Sequence, residues 1–556
     1  MSAVAHRHIF TASVLALGIG ILAGCEALRH AEGQAAVEPE LIERAPSAAG
    51  RGAARFVYGD FGHLSSDTLQ TQAVPWKLVS AALVLNYHRV ADGDEAHRLL
   101  RVELERFGFL YPVDIANWDG PVPTGPLGMV RGMVSNDLVG FRVDTATLGC
   151  ASCHAGRLYD AHGQATRSAW LGAPNTSLDL DAYGNAVYTS LAGGVRREGE
   201  LLALVDRMYP DMSAEERDSL VRYVLPALRS RLDGIASDRN RALPFLNGGP
   251  GTTNGVAALK RRLGVANSAS FENDRGFTSI PDLGGFGLRS SLLYDGLYYP
   301  PDGDPFRPLT AANATPELRR AIAYIPAYFT ISTQGGTVES ASRAISRMVD
   351  VAAFVTQYRS AEFPGTVDAR LAERGARLYR EHCSSCHGSY DDSRGRPRLV
   401  QFPNRPVPIS VVGTDDARLT SVTPELVATI NNSSMGKYLR AERRTGYVAP
   451  ALDGIWLTAP YLHNGSVPTL WHLMHPRERP RRFIVGGHRL DYARVGIAGE
   501  VASDGVYRDE PTYRAFSESV LIDTLEHGRS NAGHSWPFEL LDESQKRSLL
   551  EYLKLL

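Results

Sequence analysis

The chain is short of cysteine, lacks long apolar runs and carries no excess of charge. Its 59 Lys and Arg stand against 61 Asp and Glu, a net of −2 over 556 residues. That balance leaves no basic footprint for nucleic acid. Beyond the N-terminus no apolar stretch is long enough to span a bilayer. Composition is otherwise that of a globular protein, 44% hydrophobic and 22% charged. The length allows two or three domains. Only five cysteines occur, and each can be given a task.

Four of them form two copies of Cys-x-x-Cys-His: Cys150, Cys153 and His154, then Cys383, Cys386 and His387. This is the attachment signature of c-type haem. Residues three apart share one helix face, so both thiols can meet one porphyrin, and the adjacent His supplies the proximal iron ligand. Two motifs imply two covalent c-type haems and their iron. A zinc site built from two distant pairs, or a thioredoxin-like site, leaves the His after each pair unexplained, and no βαβ context surrounds either motif.

The fifth cysteine, Cys25, closes Leu22-Ala23-Gly24-Cys25 behind an apolar stretch from Ile9 to Ala23. That stretch is too short to span a membrane and reads as a secretory signal. Small residues before a cysteine match the bacterial lipobox, so Cys25 is the expected lipidation site and residues 1–25 a lipoprotein signal peptide. Glu26 follows rather than Asp, which does not suggest inner-membrane retention. The expected location is the cell envelope, lipid-anchored, on the periplasmic face or outer membrane.

Residues 26–52 read as a flexible tether, rich in Ala, Glu, Arg and Gly with no apolar period. Helical spacing predicts a helix from Trp76 to Phe107 with a break near Asp92-Gly93. Helix starts are predicted at Ser213, at Thr315-Pro316 and at Asp542, the last opening an amphipathic terminal helix. Stretches 246–255, 270–288 and 294–310 read as extended loops. Phe363-Pro364-Gly365-Thr366 marks a boundary before a helix from Asp368 to His382. The expected fold is therefore mainly α, with an N-terminal haem domain over 53–365 and a C-terminal cytochrome c domain over 366–556. The two halves share their motif type and no other obvious repeat.

Leu371 to Tyr379 before Cys383, with Gly388 after His387, resembles the start of a c-type cytochrome domain. Thr458-Ala459-Pro460-Tyr461-Leu462-His463-Asn464-Gly465-Ser466 resembles a motif of the bacterial di-haem cytochrome c peroxidase superfamily. Ile280-Pro281-Asp282-Leu283 and Leu293-Tyr294-Asp295-Gly296 resemble that superfamily's Phe-Trp-Asp-Gly-Arg segment. The wording around Tyr461 and the tail Ser530-Asn531-Ala532-Gly533-His534 are most similar to the rubber oxygenase branch. The resemblance implies a di-haem architecture with a relay side chain between the haems. The family's Trp corresponds here to Tyr294, which is also oxidisable. Leu297 replaces the peroxidases' Arg, and their acidic residue beside the reactive iron has no evident counterpart.

The resemblance also makes His534 the favoured sixth ligand of the second haem. Met435 and Met474, the latter flanked by His472 and His475, are the alternatives. His463 reads as a structural or propionate-contacting residue. No sixth ligand is evident for the first haem, so its position reads as open to peroxide or dioxygen. Two functions are compatible with these residues. One is a haem oxidoreductase, peroxidase-like or dioxygenase-like, using a small-molecule oxidant or a redox partner protein. The other is a pure electron carrier with two six-coordinate haems. Arg440, Arg443, Arg444 and the run from Arg477 to Arg482 read as a solvated face.

Overall fold

The structure is a computed structural model and describes residues 32–35, 41–42, 44–59, 74–90, 92–236, 246–265, 274–333, 338–393 and 395–556. Cys25, the signal segment and much of the tether lie outside the described residues. The tether segment contributes a strand, Glu32–Ala35, and the start of the helix Ala48–Tyr58. No helix among the described residues is long and apolar enough to cross a membrane.

The expectation of a mainly α fold is not met. Helix accounts for 42% of residues and strand for 16%, the strands gathered in several small sheets. Two causes explain the difference. Met129–Asn136 and Phe141–Leu148 form an antiparallel hairpin in which Val130, Val134 and Asn136 turn inward at alternate positions, the period-2 burial of a one-sided strand. The loop-rich stretches also pair locally, as Thr252–Thr253 does with Thr278–Ser279 and Leu309–Thr310 with Arg398–Phe402. Backbone groups in a buried loop need partners, and two-residue ladders provide them.

The predicted helices lie where capping and apolar spacing place them. Trp76–Tyr87 and Gly93–Arg106 flank the break, the second capped by Asp92. Leu78, Val79, Ala81, Leu83 and Val84 are all fully buried, so the first of these helices is apolar all round and forms the centre of a core. It packs against Leu180–Arg196 and Glu198–Met208. Ser213 caps Ala214–Ser219, and Pro316–Thr333 follows Thr315. Asp542 and Gln545 make a complete capping box on Glu543–Leu553.

Two cores position the candidate sites. One joins Phe56, Leu297 and Met348 to Val422, Leu426 and Met435 and packs against Cys150. The other joins Tyr379, Trp456, Phe483 and Tyr552 and packs against Cys383. Helix Ala369–His382, which delivers the second motif, is capped by Asp368, whose carboxylate accepts from the backbone N–H groups of Arg370 and Leu371 at 2.9 and 3.0 Å. It lies directly on Glu543–Leu553 at Gly375, where a Cβ would sit 2.0 Å from the Ser548 carbonyl oxygen. Only glycine allows that approach.

Candidate functional site

Strand Phe141–Leu148 ends at Gly149, and Cys150–Cys153 make one helical turn closed by His154. The His154 backbone N–H donates to the Cys150 carbonyl at 2.9 Å, and the His387 N–H donates to the Cys383 carbonyl at 2.9 Å. Both motifs therefore adopt the same turn. The first is pressed against Gly128, whose φ is +79° and whose added Cβ would lie 1.9 Å from the Ser152 nitrogen. Asn175 holds its other side, donating to the carbonyls of Ser152 and Gly108 at 3.1 and 3.0 Å.

His154 Nδ1 donates to the Pro281 carbonyl at 3.2 Å. A carbonyl partner places the proton on Nδ1 and leaves Nε2 as the free lone pair, the arrangement that orients a metal-binding imidazole. Burial lowers the His154 pKa to about 4, so the ring is neutral. Burial also raises Cys150 to about 12 and Cys153 to about 11, so both remain thiols. All three side chains line one cavity of about 680 Å³, with Arg289, Tyr294 and Tyr298 on its walls. That volume lies within the roughly 300–1,000 Å³ of cofactor and ligand pockets. Arg289 donates to the carbonyl oxygens of Ser291 and Leu293, at 3.3 and 3.4 Å, lies over the Phe402 ring and has no carboxylate partner among the described residues. It keeps a cation available to a carboxylate such as a propionate.

At the second motif His387 Nδ1 donates to the Pro450 carbonyl at 2.8 Å. The His534 ring lies with its centroid 6.0 Å from that of His387. Two imidazoles on opposite sides of one metal, each at a bond length of about 2.0–2.1 Å, have centroids roughly 6 Å apart. His534 has a left-handed backbone, φ +48°, and its Nδ1 has no partner among the described residues. Burial and the neighbouring His387 ring lower its pKa to about 4.

The tail is held in place by residues that carry no motif of their own. Arg479 donates to the carbonyls of Asn531 and Gly533, the latter at 2.8 Å, and to that of Leu473 at 2.8 Å. Asn464 and Ser466 donate to the Ser530 carbonyl at 3.0 and 2.9 Å. Arg479, expected on a solvated face, is thus part of the scaffold of His534. Met435 is 2% exposed in the core that packs against Cys150, away from the one beside Cys383. Met474 is 1% exposed in the other core. His475 is bonded through Nδ1 to the Trp471 carbonyl and through Nε2 to Glu543.

The segments that accept from the two motif histidines are related by an internal repeat, where none was expected beyond the motif type. Pro281 and Pro450, the acceptors for the two motif histidines, are 169 residues apart, and the same offset relates the segments after them. Gly285 and Gly454 are left-handed, at +72° and +67°, and each opens a 3₁₀ turn, Phe286–Leu288 or Ile455–Leu457. Leu293 and Leu462 are left-handed at +72° and +65°, Gly296 and Gly465 at +61° and +63°. The bridges Leu292 to Tyr298 and Tyr461 to Val467 correspond as well.

The two copies face each other about a local twofold. The Ser279 N–H donates to the His463 carbonyl and the Val448 N–H to the Tyr294 carbonyl, both at 2.7 Å. These bonds exchange under the offset, as contacts do across an isologous interface. Tyr294 and His463 are therefore equivalent residues, and their rings lie 6.4 Å apart. Tyr294 shares a 2.9 Å hydrogen bond with the Ser279 hydroxyl. His463 is 7% exposed and stacks on Tyr447 at 4.2 Å, and its Nε2 has no partner among the described residues. Asp295, beside Tyr294, forms an almost fully buried ion pair with Arg418 at 3.1 Å. The signal was legible: Leu293-Tyr294-Asp295-Gly296 and Leu462-His463-Asn464-Gly465 are variants of one tetrapeptide.

The donor set fits c-type haem at both motifs: paired thiols, a neutral imidazole with a fixed tautomer, and, at the first, a cation in the cavity wall. Comparison with known proteins points the same way. The RoxA-like, cytochrome c-like family matches residues 446–484, the segment from the strand before Pro450 to the strand after Arg479. The uncharacterized protein y4iM of Sinorhizobium fredii (strain NBRC 101917 / NGR234) is 32% identical over 213 residues, 33% of this chain and 45% of that protein. The uncharacterized protein y4iJ of the same strain is 28% identical over 252 residues, 34% of this chain and 40% of that protein. The matched region spans less than half the length of either relative. The family match supports a relationship to RoxA-like cytochromes and points to a haem cytochrome carrying c-type haem.

Proposed function

We propose that this chain is a di-haem c-type cytochrome that transfers electrons and carries out oxidation at its N-terminal haem. One haem joins Cys150, Cys153 and His154 within residues 53–365. The other would be held by Cys383, Cys386 and His387 within residues 366–556, with His534 as a further iron-ligating residue. The observation that carries this reading is the equivalence of the two motif histidines. Each has Nδ1 fixed on a proline carbonyl, and the two prolines occupy the same place in the repeat.

A haem held at the first motif would supply peroxide or dioxygen activation, and one held by His387 and His534 would supply electron transfer. The residues divide the work accordingly. Pro281 and Pro450 hold the proximal imidazoles in one tautomer. His534, fixed by Arg479 through its neighbours' carbonyls, closes the second site. Tyr294, which lines the first cavity and lies 6.4 Å from His463, would serve as an oxidisable relay side chain whose phenol shares a hydrogen bond with Ser279. The walls of the first cavity are mostly apolar and would lower the polarity around a bound group. Lipidation of Cys25 would hold the protein at the cell envelope beside its oxidant or redox partner.

The test is spectroscopic. The pyridine haemochrome and intact mass of the exported protein give two haems per chain, and a Cys383→Ser/Cys386→Ser variant gives one. A high-spin signal that shifts with carbon monoxide or cyanide establishes the open site. Two low-spin, unreactive irons establish the pure carrier instead.

A further inference from the structure

The twofold brings together two half-buried carboxyl groups for which neither haem attachment nor the relay has a use. Asp282 directly follows Pro281, the acceptor for His154, and Asp453 lies three residues after Pro450, the acceptor for His387. Gly284 and Asp453 are equivalent under the 169-residue offset, so the axis passes between them, and a Cβ on Gly284 would lie 2.3 Å from the Asp453 Cβ. A second pair of contacts exchanges about the same axis. A Cβ on Gly285 would lie 2.8 Å from Ala451, and one on Gly454 would lie 2.7 Å from Asp282 Oδ2. Each half thus brings one acid to the middle, at positions where its counterpart has none.

Both acids are held by hydroxyl donors rather than by salt bridges. Asp282 accepts from Tyr358 at 2.7 Å, from Ser360 at 2.8 Å and from the Gly284 N–H at 2.8 Å. Asp453 accepts from Tyr390 at 2.8 Å. The charged and titratable groups that face the pair are Tyr358, Tyr390, Tyr379, Arg359 and Arg396. Arg396 is turned to the carbonyls of Ser360, Ala361 and Leu556. Burial, the largest effect, with Asp453 adding to it, raises Asp282 to about 7, and burial raises Asp453 as well. Asp282 also lines the cavity of the first motif.

We propose that Asp282 and Asp453 form a shared proton site beside the carbonyl acceptors of both motif histidines, taking up one proton when one electron enters an iron. This rests on the di-haem reading above. The balance is simple: one electron from a soluble one-electron donor reduces the iron, one proton from solvent converts carboxylate to carboxylic acid, and both leave on reoxidation. An added electron lowers the positive charge near the pair, and the carboxylate then holds a proton more tightly. The proximal His rings couple to the pair through the Pro281 and Pro450 backbone, with no direct bond from acid to imidazole. Asp282 and Asp453 are positioning residues for redox poise, not catalytic ones.

The experiment is a spectroelectrochemical titration of the holoprotein with soluble mediators from pH 6 to 8.5, with the haem count measured on every sample. The wild-type midpoint of at least one haem falls with pH, toward a tenfold change in oxidised-to-reduced ratio per pH unit, about 59 mV for one electron. Asp282→Asn keeps the hydrogen-bonding shape, raises that midpoint at high pH and flattens its pH dependence. The reduced-minus-oxidised infrared difference spectrum shows a carboxylic acid band in wild type that is lost in Asp282→Asn. Asp453→Asn supplies an independent variant should the first fail to mature. A flat wild-type profile, or an unchanged slope and band in both variants, overturns the proposal. A haem count other than two overturns the di-haem reading instead.

Discussion

His387 and His534 face each other with ring centroids 6.0 Å apart, although 147 residues of chain separate them. The pairing depends on the tail being folded back by Arg479, Asn464 and Ser466. On the di-haem reading proposed above, His534→Ala is expected to convert the C-terminal haem from a low-spin to a high-spin spectrum and to open it to carbon monoxide, leaving the N-terminal haem unchanged. His534→Met, if it ligates, raises the midpoint potential, because His/Met ligation sits above His/His. An unaltered spectrum in His534→Ala removes His534 from the iron.

Arg418 and Asp295 are 2% and 3% exposed in their side chains. Removing one partner strands a buried charge, which costs about 3–5 kcal/mol. Arg418→Ala is therefore expected to lower the denaturation midpoint sharply, and Arg418→Ala/Asp295→Asn to recover part of the loss. Chemical denaturation of the two variants side by side measures it.

At Gly375 even one methyl group collides with the Ser548 backbone. Gly375→Ala is expected to destabilise by about 1–3 kcal/mol through overpacking. The cap beside it is milder: Asp368→Ala costs about 1 kcal/mol. Thermal unfolding followed at the C-terminal haem ranks the two.

Tyr294→Phe removes the phenol but keeps the ring. It is expected to leave both haem spectra intact and to slow electron transfer between the haems, read by stopped-flow reoxidation. Unchanged transfer would take Tyr294 out of the path.

Buried histidines set the acid limb of stability. Burial lowers His463 to about 3 and His472 and His488 to about 4, from about 6.5 in the unfolded chain. The unfolded state then binds more protons below pH 6.5, so stability is complete above that value and declines as pH falls toward 4. Asp282 acts in the opposite sense. Its raised pKa of about 7 gives a contribution present below about pH 3.8 and lost as pH rises through 7. His463→Gln is expected to flatten the acid limb in denaturant titrations at pH 4.5 to 6.5.

Much of the helical framework was legible because capping is local chemistry. Asp92, Ser213, Asp368 and Asp542 each announce a helix start within three residues. The strands were less so. The Met129–Asn136 strand alternates in burial, but its paired Met-Val residues hide that period in the sequence, and the two-residue ladders depend on loops meeting from afar, as Tyr298–Tyr299 meets Arg440–Ala441. The motif cysteines and histidines declare themselves by spacing. Their proline acceptors do not, because a carbonyl carries no side-chain signature. Arg479 read as surface charge because its partners are backbone oxygens of a distant tail.

The reciprocal bonds from Ser279 and Val448 have an evolutionary corollary. In a homodimer every substitution near the symmetry axis arrives twice, so both faces must tolerate the same residue. Here both arms belong to one polypeptide, and each position on the axis can drift alone. Tyrosine on one side with histidine on the other, and aspartate opposite glycine, are combinations that no pair of identical subunits could present. Two related arms within one polypeptide are thus free to differ where identical subunits could not.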